Sequence, residues 1–492
     1  MLNRLEDRIL EICKKAGGEK AFWWRGTWWS RNVLSEMVTR CRDTLKSAGF
    51  GEGQVLAVIM PNCPLFLSLA VAVWSLKGTL LPLNLQAGRL NMAKHLQHAG
   101  VSLAVMPEGM ESAAEDLTKM GILTITAPLE GPLPSVKVGP NRSSNAETAV
   151  LFYTSGTTAS PKAVPLTHAN LLDNVTKSID HFMELQPGDR FLNVLPNFHA
   201  LGFTTSSLLP LLGGFPQLIL PNFMPAENTL AAILEAEVTA VIAVPTMIAL
   251  MLGAIARGAE IPTSLRILVS GGDKFPPLLD QRIQKILGIG VLEGYGLTET
   301  SPVVSINPGQ KARKLGTVGT ILKGYEVQIR DKEGNIIKDP ETEGVLWLKG
   351  PSVFEGYFKD AQRTAERIKD GWFNTGDIVK IDKDGYLSIL DRESDIIIVG
   401  GFNVYPAEVE EVIQSIPGVS ETAVVGIAHP VSGEIVKAYV VKRPGTSVQS
   451  RDIISYCKER LAHYKVPRVV EFVDDLPRSS IGKVLRRELR NR

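Results

Sequence analysis

Apolar residues follow two alternating rhythms over roughly the first three hundred positions. Between Ser30 and Leu45, the residues Val33, Leu34, Met37, Val38, Cys41 and Leu45 fall on one face at helical spacing, behind a serine suited to cap the first turn. Short continuous apolar runs follow: VLAVIM (55–60), SLAVM (102–106), AVLFYTS (149–155), TAVIAV (239–244) and RILVSG (266–271). Runs buried on both faces and separated by helix-length segments are what βαβ units with parallel strands require. An α/β region with parallel sheets is therefore expected to about residue 315.

The texture changes after Gly316. Glycine-punctuated alternation in GYEVQIRDKEGN (324–335) and EGVLWLKG (343–350) reads as hairpins of a small β subdomain, 316–393. Beyond it come IIIVGG (396–401), a helix opened by Pro406 with Ala407, Val409, Val412, Ile413 and Ile416 on one face, AVVGI (423–427), AYVVK (438–442) and a helix near 451–461. The expected architecture is α/β: an N-terminal domain, 1–393, and a small mobile α+β C-terminal domain, 394–492.

Composition narrows the classes of function. A chain of 492 residues exceeds one hydrophobic core. Lys and Arg total 53 against 52 for Asp and Glu, and no basic stripe stands out, so nucleic acid is not an expected partner. Four cysteines, Cys13, Cys41, Cys63 and Cys457, lie far apart with no CxxC pair, which fits a reducing, cytoplasmic setting and neither a disulfide framework nor a zinc site. The start, MLNRLEDRILEICKK, alternates charged and apolar residues and shows no export signal. The most apolar stretches, 64–74 and 208–220, are short or broken, below the roughly 18 residues of a spanning helix. Peripheral contact with a membrane stays open, as does the choice between monomer and homodimer.

The most informative chemistry lies in YTSGTTASPKAV (153–164). There a buried strand ends in Thr154, Ser155, Gly156, Thr157 and Thr158, ahead of Lys162. Small hydroxyl residues with glycine turn backbone N–H and side-chain O–H groups toward one anion, and the lysine supplies counter-charge. By itself the segment reads as a phosphate cradle or as a Ser/Thr-rich surface turn; it is not a GxxxxGK[ST] loop. It is followed in order by EGYGLTET (293–300), TGD (375–377), DRESDIIIVGGFNVYPAEVE (391–410) and PRSSIGKVLRR (477–487). Over nearly the whole chain this series resembles the acyl-adenylate-forming superfamily, which includes acyl-CoA synthetases, peptide-synthetase adenylation domains and luciferases.

The resemblance implies roles residue by residue. Thr154, Ser155, Gly156, Thr157, Thr158 and Lys162 would cradle the phosphates of ATP. Gly271, Gly272 and Asp273, with Glu293, Gly294, Tyr295 and Gly296, would hold the nucleotide, and Tyr295 would stack on adenine. Thr298 would touch the α-phosphate, and Glu299 with Thr157 would hold Mg²⁺, a hard cation suited to oxygen donors. Asp377 would accept both ribose hydroxyls, assisted by Arg392. Lys483 would bind the carboxylate and the α-phosphate during adenylation. The last domain would then swing near Ser394, bringing Gly400 and Gly401 to a thiol channel. Outside that context the same residues read as a capped helix start with a core tyrosine, a hairpin-turn aspartate, a surface arginine and a solvated lysine in a basic tail.

For the acid, PNFHALGF (196–203), VPTM (244–247), SGGDKF (270–275) and SPVVS (301–305) form apolar walls with small residues. They place His199, Thr246, Gly272, Gly296 and Pro302 beside an alkyl or aryl tail, with no acidic residue at the centre of the walls for an amino acid's ammonium. His199 is either a gate to that pocket or a structural histidine. The expected reaction joins a medium- or long-chain fatty acid to CoA through acyl-AMP, using ATP and Mg²⁺. An acyl carrier protein is the alternative acceptor. A stand-alone adenylation domain for an aryl or amino acid, or a degenerate acyl-binding homologue, are the alternative functions. Rival motifs fail: no GxSxG elbow precedes a helix, no HExxH occurs, and Gly288-Ile289-Gly290 lacks the third glycine of a dinucleotide site. Asp382-Lys383-Asp384-Gly385 lacks the distal glutamate of a calcium loop and reads as a hairpin turn. The sequence departs from the family pattern at Ala159 and Ala163, where glycines are common and whose side chains are expected to trim the freedom of the phosphate loop. It departs again at Asp391, which replaces a glycine before Arg392, and at Ser394, in the hinge position.

Overall fold

The computed structural model describes residues 4–85, 88–154, 162–331, 333–339, 341–400, 402–429, 432–478 and 484–490. The chain folds into two compact units: Met1–Glu326 with Leu348–Phe373, and Val327–Trp347 with Asn374–Arg492. It is a mixed α/β fold, with parallel sheets in the N-terminal part and a smaller C-terminal domain.

Two sheets organise the first unit. One runs Thr124–Ala127, Leu103–Pro107, Val55–Val58, Thr79–Pro82, Thr148–Thr154, Lys162–Thr167, parallel except for the last pair. The other has nine strands, and its centre is parallel: Leu292–Gly296, Ile267–Ser270, Ala240–Ala243, Phe191–Asn193, Gln217–Ile219 and Lys20–Trp24. Every residue of Val55–Val58, Ala240–Ala243 and Ile267–Ser270 is buried, as continuous apolar runs between layers of helices demand. Helix Arg31–Ser47 buries Leu34, Met37, Val38, Cys41 and Leu45, and the Ser30 hydroxyl accepts from the Val33 N–H at 3.4 Å, which is the expected cap. Helix Pro64–Ser75 is buried on every side except at its last residue, so its apolar content serves the core; no helix among the described residues is long and apolar enough to cross a membrane.

The apolar stretch 208–220 divides into the end of a π-helical segment, Gly202–Leu208, a short helix, Leu209–Gly213, and the strand Gln217–Ile219. Gly202 allows that wide turn to close, because a Cβ there would lie 2.5 Å from the Pro196 carbonyl oxygen. Beside it, Asn62, Asn193, Asn197, Ser207 and Gln217 form a buried hydrogen-bonded network linking segments that follow or belong to strands of both sheets.

In the second unit the predicted hairpin pairs Glu326–Arg330 with Ile336–Ile337, and Asp382 closes another by accepting from the N–H groups of Asp384 and Tyr386. That carboxylate is engaged in its own turn, as the hairpin reading requires. The helix Pro406–Gln414 buries Val409 and Ile413 against a five-stranded sheet dominated by the antiparallel pair Val419–His429 and Gly433–Lys442. The last long helix is Ser450–Lys458.

Candidate active site

In a parallel sheet, loops at the carboxyl ends of adjacent strands converge, and ligands bind there. The sequence-selected residues of the first unit follow this rule. Segment 155–161 follows strand Thr148–Thr154, His199 follows Phe191–Asn193, Thr246 follows Ala240–Ala243, Gly271 to Asp273 follow Ile267–Ser270, and Thr298 and Glu299 follow Leu292–Gly296. Ser155, Gly156, Thr157 and Thr158 lie outside the described residues, as do Gly401 and Lys483.

The two residues that flank segment 155–161 are held by strand pairing. Thr154 and Lys162 are paired across antiparallel strands, and Tyr153 pairs with Ala163. Ala163 is therefore a strand residue whose methyl is 1% exposed in the core, and its carbonyl accepts from the Phe358 N–H at 2.9 Å. The expectation that Ala163 trims the freedom of the loop is corrected: a glycine there would serve the strand no better. Thr154 Oγ1 is buried and finds no hydrogen-bond partner among the described residues, a polar group still to be satisfied at the mouth of the loop.

Across from it, Lys162 Nζ lies 2.7 Å from Glu299 Oε1, and the Tyr357 hydroxyl donates to the same oxygen at 3.0 Å. Glu299 is 5% exposed. Burial by itself would raise its carboxyl; the Lys162 ammonium more than offsets this, and Tyr357 adds to it, so the group stays ionised below the usual carboxylate range. The turn bearing Thr298 and Glu299 is locked from behind. Asn174 donates to the carbonyls of Thr300 and Val303, Tyr325 does the same, and the Ser301 hydroxyl donates to the Ser352 carbonyl. Asn174 and Tyr357 lie in none of the stretches singled out from the sequence, and Tyr325 lies only in the one read as a hairpin, 324–335. Asn170 and Asn174 lie four apart on one side of helix His168–His181, a spacing that could have flagged Asn174; Tyr325 and Tyr357 carry no such local signal.

The segments carrying Gly272 and Gly296 are constrained at the backbone. A Cβ at Gly296 would lie 2.1 Å from the Pro302 carbonyl oxygen, and Gly272 has φ +85°, so both positions need glycine. Side chains of Leu201 and Val244 lie 3.5–3.6 Å from where a Gly272 Cβ would be, an apolar lining beside a bare backbone. Thr246, Gly272 and Asp273 are exposed, His199, Tyr295 and Thr298 are half-buried, and Pro302 is buried beneath the Thr298 turn. Glu293 sits in a half-buried spot where burial first, and Asp280 next, push its carboxyl up to about 7.

In the second unit, Asp377 and Arg392 face each other across adjacent strands, and Asp377 is 2% exposed. Gly400, at φ +58°, donates its N–H to the Ser432 carbonyl at 2.8 Å. Ser394 and Asp395 occupy a short turn tied to the C-terminal helix: Arg490 donates to the Ser394 carbonyl and to Asp395 Oδ1, both at 3.1 Å. Arg486 binds Glu410 and also approaches Asp395.

A family model described as AMP-binding enzyme matches residues 10–358, and one described as AMP-binding enzyme C-terminal domain matches residues 408–483. A long-chain-fatty-acid–CoA ligase from Yersinia pestis is 38% identical over 70% of this chain, a match that spans 62% of that ligase. A feruloyl-CoA synthase from an Amycolatopsis species is 34% identical over 93% of both chains. Among solved structures, ATP-bound MatB from Rhodopseudomonas palustris superposes with a TM-score of 0.91 at 29% identity, covering 100% of this chain and 99% of that one. With its motif residues at the strand ends and its family models spanning most of its length, the chain belongs to the AMP-binding enzyme family.

Proposed function

We propose that the protein is an ATP-dependent acid–thiol ligase. A carboxylate oxygen of the acid attacks the α-phosphorus of ATP, forming acyl-AMP as pyrophosphate leaves; the sulfur of CoA then attacks the acyl carbon, and AMP leaves. The observation that carries this reading is the buried Lys162–Glu299 pair at the carboxyl ends of two sheets, beside the unsatisfied Thr154 hydroxyl. A movable cation, a fixed anion and a free donor are the parts needed to handle a polyphosphate with its metal.

Glu299 fits a magnesium ion: it is a buried, ionised oxygen donor whose charge an ammonium now balances. When bound with the nucleotide, the ion would neutralise phosphate charge, held by Glu299 and Thr157. Thr298 and Lys162 would stabilise charge on phosphate oxygens, Tyr295 would stack on adenine, Asp377 and Arg392 would hold the ribose, and Lys483 would pair with the carboxylate and the α-phosphate. The domain from residue 394 would turn about Ser394 between the half-reactions, with Gly400 and Gly401 brought to the thiol. Four buried, unpaired cysteines suit a cytoplasmic protein.

For the acid we favour a medium- or long-chain fatty acid, on the apolar lining by Leu201 and Val244. An aryl acid is the second reading, because the feruloyl-CoA synthase matches along 93% of the chain where the fatty-acid ligase matches along 70%. Pyrophosphate release from MgATP with octanoate, palmitate, ferulate, benzoate and amino acids, with CoA or with an acyl carrier protein, tests both. CoA-dependent turnover on alkyl acids supports the first reading and turnover on ferulate the second. Turnover only with the carrier protein would replace CoA as acceptor, and silence on every acid would overturn the proposal.

A further inference from the structure

We propose that Tyr357 is a positioning residue for this centre: its hydroxyl orients the Glu299 carboxylate, and its ring steadies the Lys162 ammonium, so both charges are set before metal and nucleotide arrive. The proposal rests on the ATP-dependent reading above and names a residue outside its motifs.

Three observations place Tyr357 between the two charges. Its hydroxyl donates to Glu299 Oε1 at 3.0 Å, Lys162 Nζ lies 4.9 Å from its ring centroid, and the residue is 6% exposed. Its own position is fixed on both sides. The Phe354 N–H donates to the Glu299 carbonyl, and the Phe358 N–H donates to the Ala163 carbonyl, each at 2.9 Å. The segment around Tyr357 is thus stitched to the backbone of Glu299 and to the residue after Lys162. The Tyr357 N–H donates to Thr364 Oγ1, and the ring packs edge-on against Phe354 at 4.8 Å.

The chemistry of the hydroxyl explains why tyrosine suits this position. A carboxylate held by a lysine alone loses its restraint when that lysine turns to a phosphate. A neutral O–H donor stays behind and fixes the carboxylate without cancelling the charge a cation needs. The ring face meanwhile offers the ammonium a weak, non-directional hold that it can leave.

The test is Tyr357→Phe, which keeps the ring, its contact with Phe354 and its contact with Lys162, and removes only the donor. Binding of Mn²⁺ in the presence of α,β-methylene-ATP, read by electron paramagnetic resonance, is expected to weaken on the order of tenfold, the usual worth of a hydrogen bond to a charged group. The Mg²⁺ concentration for half-maximal pyrophosphate release should rise in parallel, while the KM for the acid and thioester formation from supplied acyl-AMP stay at wild-type values and Tm falls only slightly, by the loss of one hydrogen bond. Unchanged Mn²⁺ affinity overturns the proposal. So does a fall in Tm accompanied by equal loss in both half-reactions, which would make the role structural. A wild-type protein that binds Mn²⁺ with the nucleotide yet turns over no acid overturns the ligase reading instead, while the Mn²⁺ comparison still judges Tyr357. A wild-type protein that binds no Mn²⁺ with the nucleotide overturns both.

Discussion

Arg392 Nε lies 3.0 Å from Asp377 Oδ1, joining two residues that oppose each other directly across antiparallel strands. The aspartate is buried and the arginine side chain is 44% exposed, so the pair presents one anchored acceptor beside one accessible cation. Asp377→Ala removes the acceptor and is expected to raise the KM for ATP by about ten- to a hundredfold, from two charged hydrogen bonds. The KM for the acid should change little. Initial rates of pyrophosphate release against ATP concentration measure this, and equal effects on both KM values would remove Asp377 from the ribose.

Lys162→Met leaves the Glu299 carboxylate buried without its counter-charge. In the wild type the depressed carboxyl contributes stability that is present above the ordinary carboxylate pKa and lost as pH falls through the depressed value. In the variant burial outweighs the remaining Tyr357 hydroxyl bond, the carboxyl rises, and the sign reverses: no cost at acid pH, and a growing cost as pH climbs. We expect a deficit of about 3 kcal/mol at neutral pH, the low end for orphaning a buried charge because Lys162 is 22% exposed, narrowing toward pH 5. Urea unfolding at several pH values would show it.

Glu293 gives a second pH signature. Its carboxyl, raised to about 7 by burial and by Asp280, stays protonated in the folded chain where the unfolded chain is already ionised. Stability is therefore full below the ordinary carboxylate pKa, falls as pH rises toward 7, and is level above it. Glu293→Gln should flatten that slope in thermal unfolding between pH 5 and 8. Because Tyr295 is two residues away, the pH dependence of the KM for ATP should flatten with it.

Arg490→Ala releases the Ser394 carbonyl and one bond to Asp395. A half-buried pair that water still reaches is worth about 1 kcal/mol, so the expected effect is a roughly fivefold faster thioester-forming step, with adenylation unchanged. Rapid-quench measurement of each half-reaction separates the two. A slower adenylation step would mean that the turn supports the fold and does not hold a hinge.

Much of this organisation was legible in the sequence because it is local. The runs at 55–60, 239–244 and 266–271 became parallel strands, and the motif residues following them lie where a parallel sheet binds ligands. Four-residue Thr79–Pro82 has no periodicity to announce it, and Lys20–Trp24, though it pairs locally with Thr27–Ser30, joins the rest of its sheet through Gln217–Ile219, nearly two hundred positions away. The buried polar run Thr204–Ser207 follows neither helical nor strand alternation, so a π-helical turn was not foreseen. Tyr357 was missed for a similar reason: its partners, Lys162 and Glu299, come from distant segments, and only the fold brings the three together.

The pairing of Thr154 with Lys162 carries a consequence for variation. Side chains alternate faces along a strand, so a slip of one residue in the pairing of Thr148–Thr154 with Lys162–Thr167 would turn Lys162 away from Glu299. The placement of the Lys162 charge against Glu299 is thus set by the pairing of two whole strands, and substitutions that weaken that pairing would reach the charged pair without touching either residue.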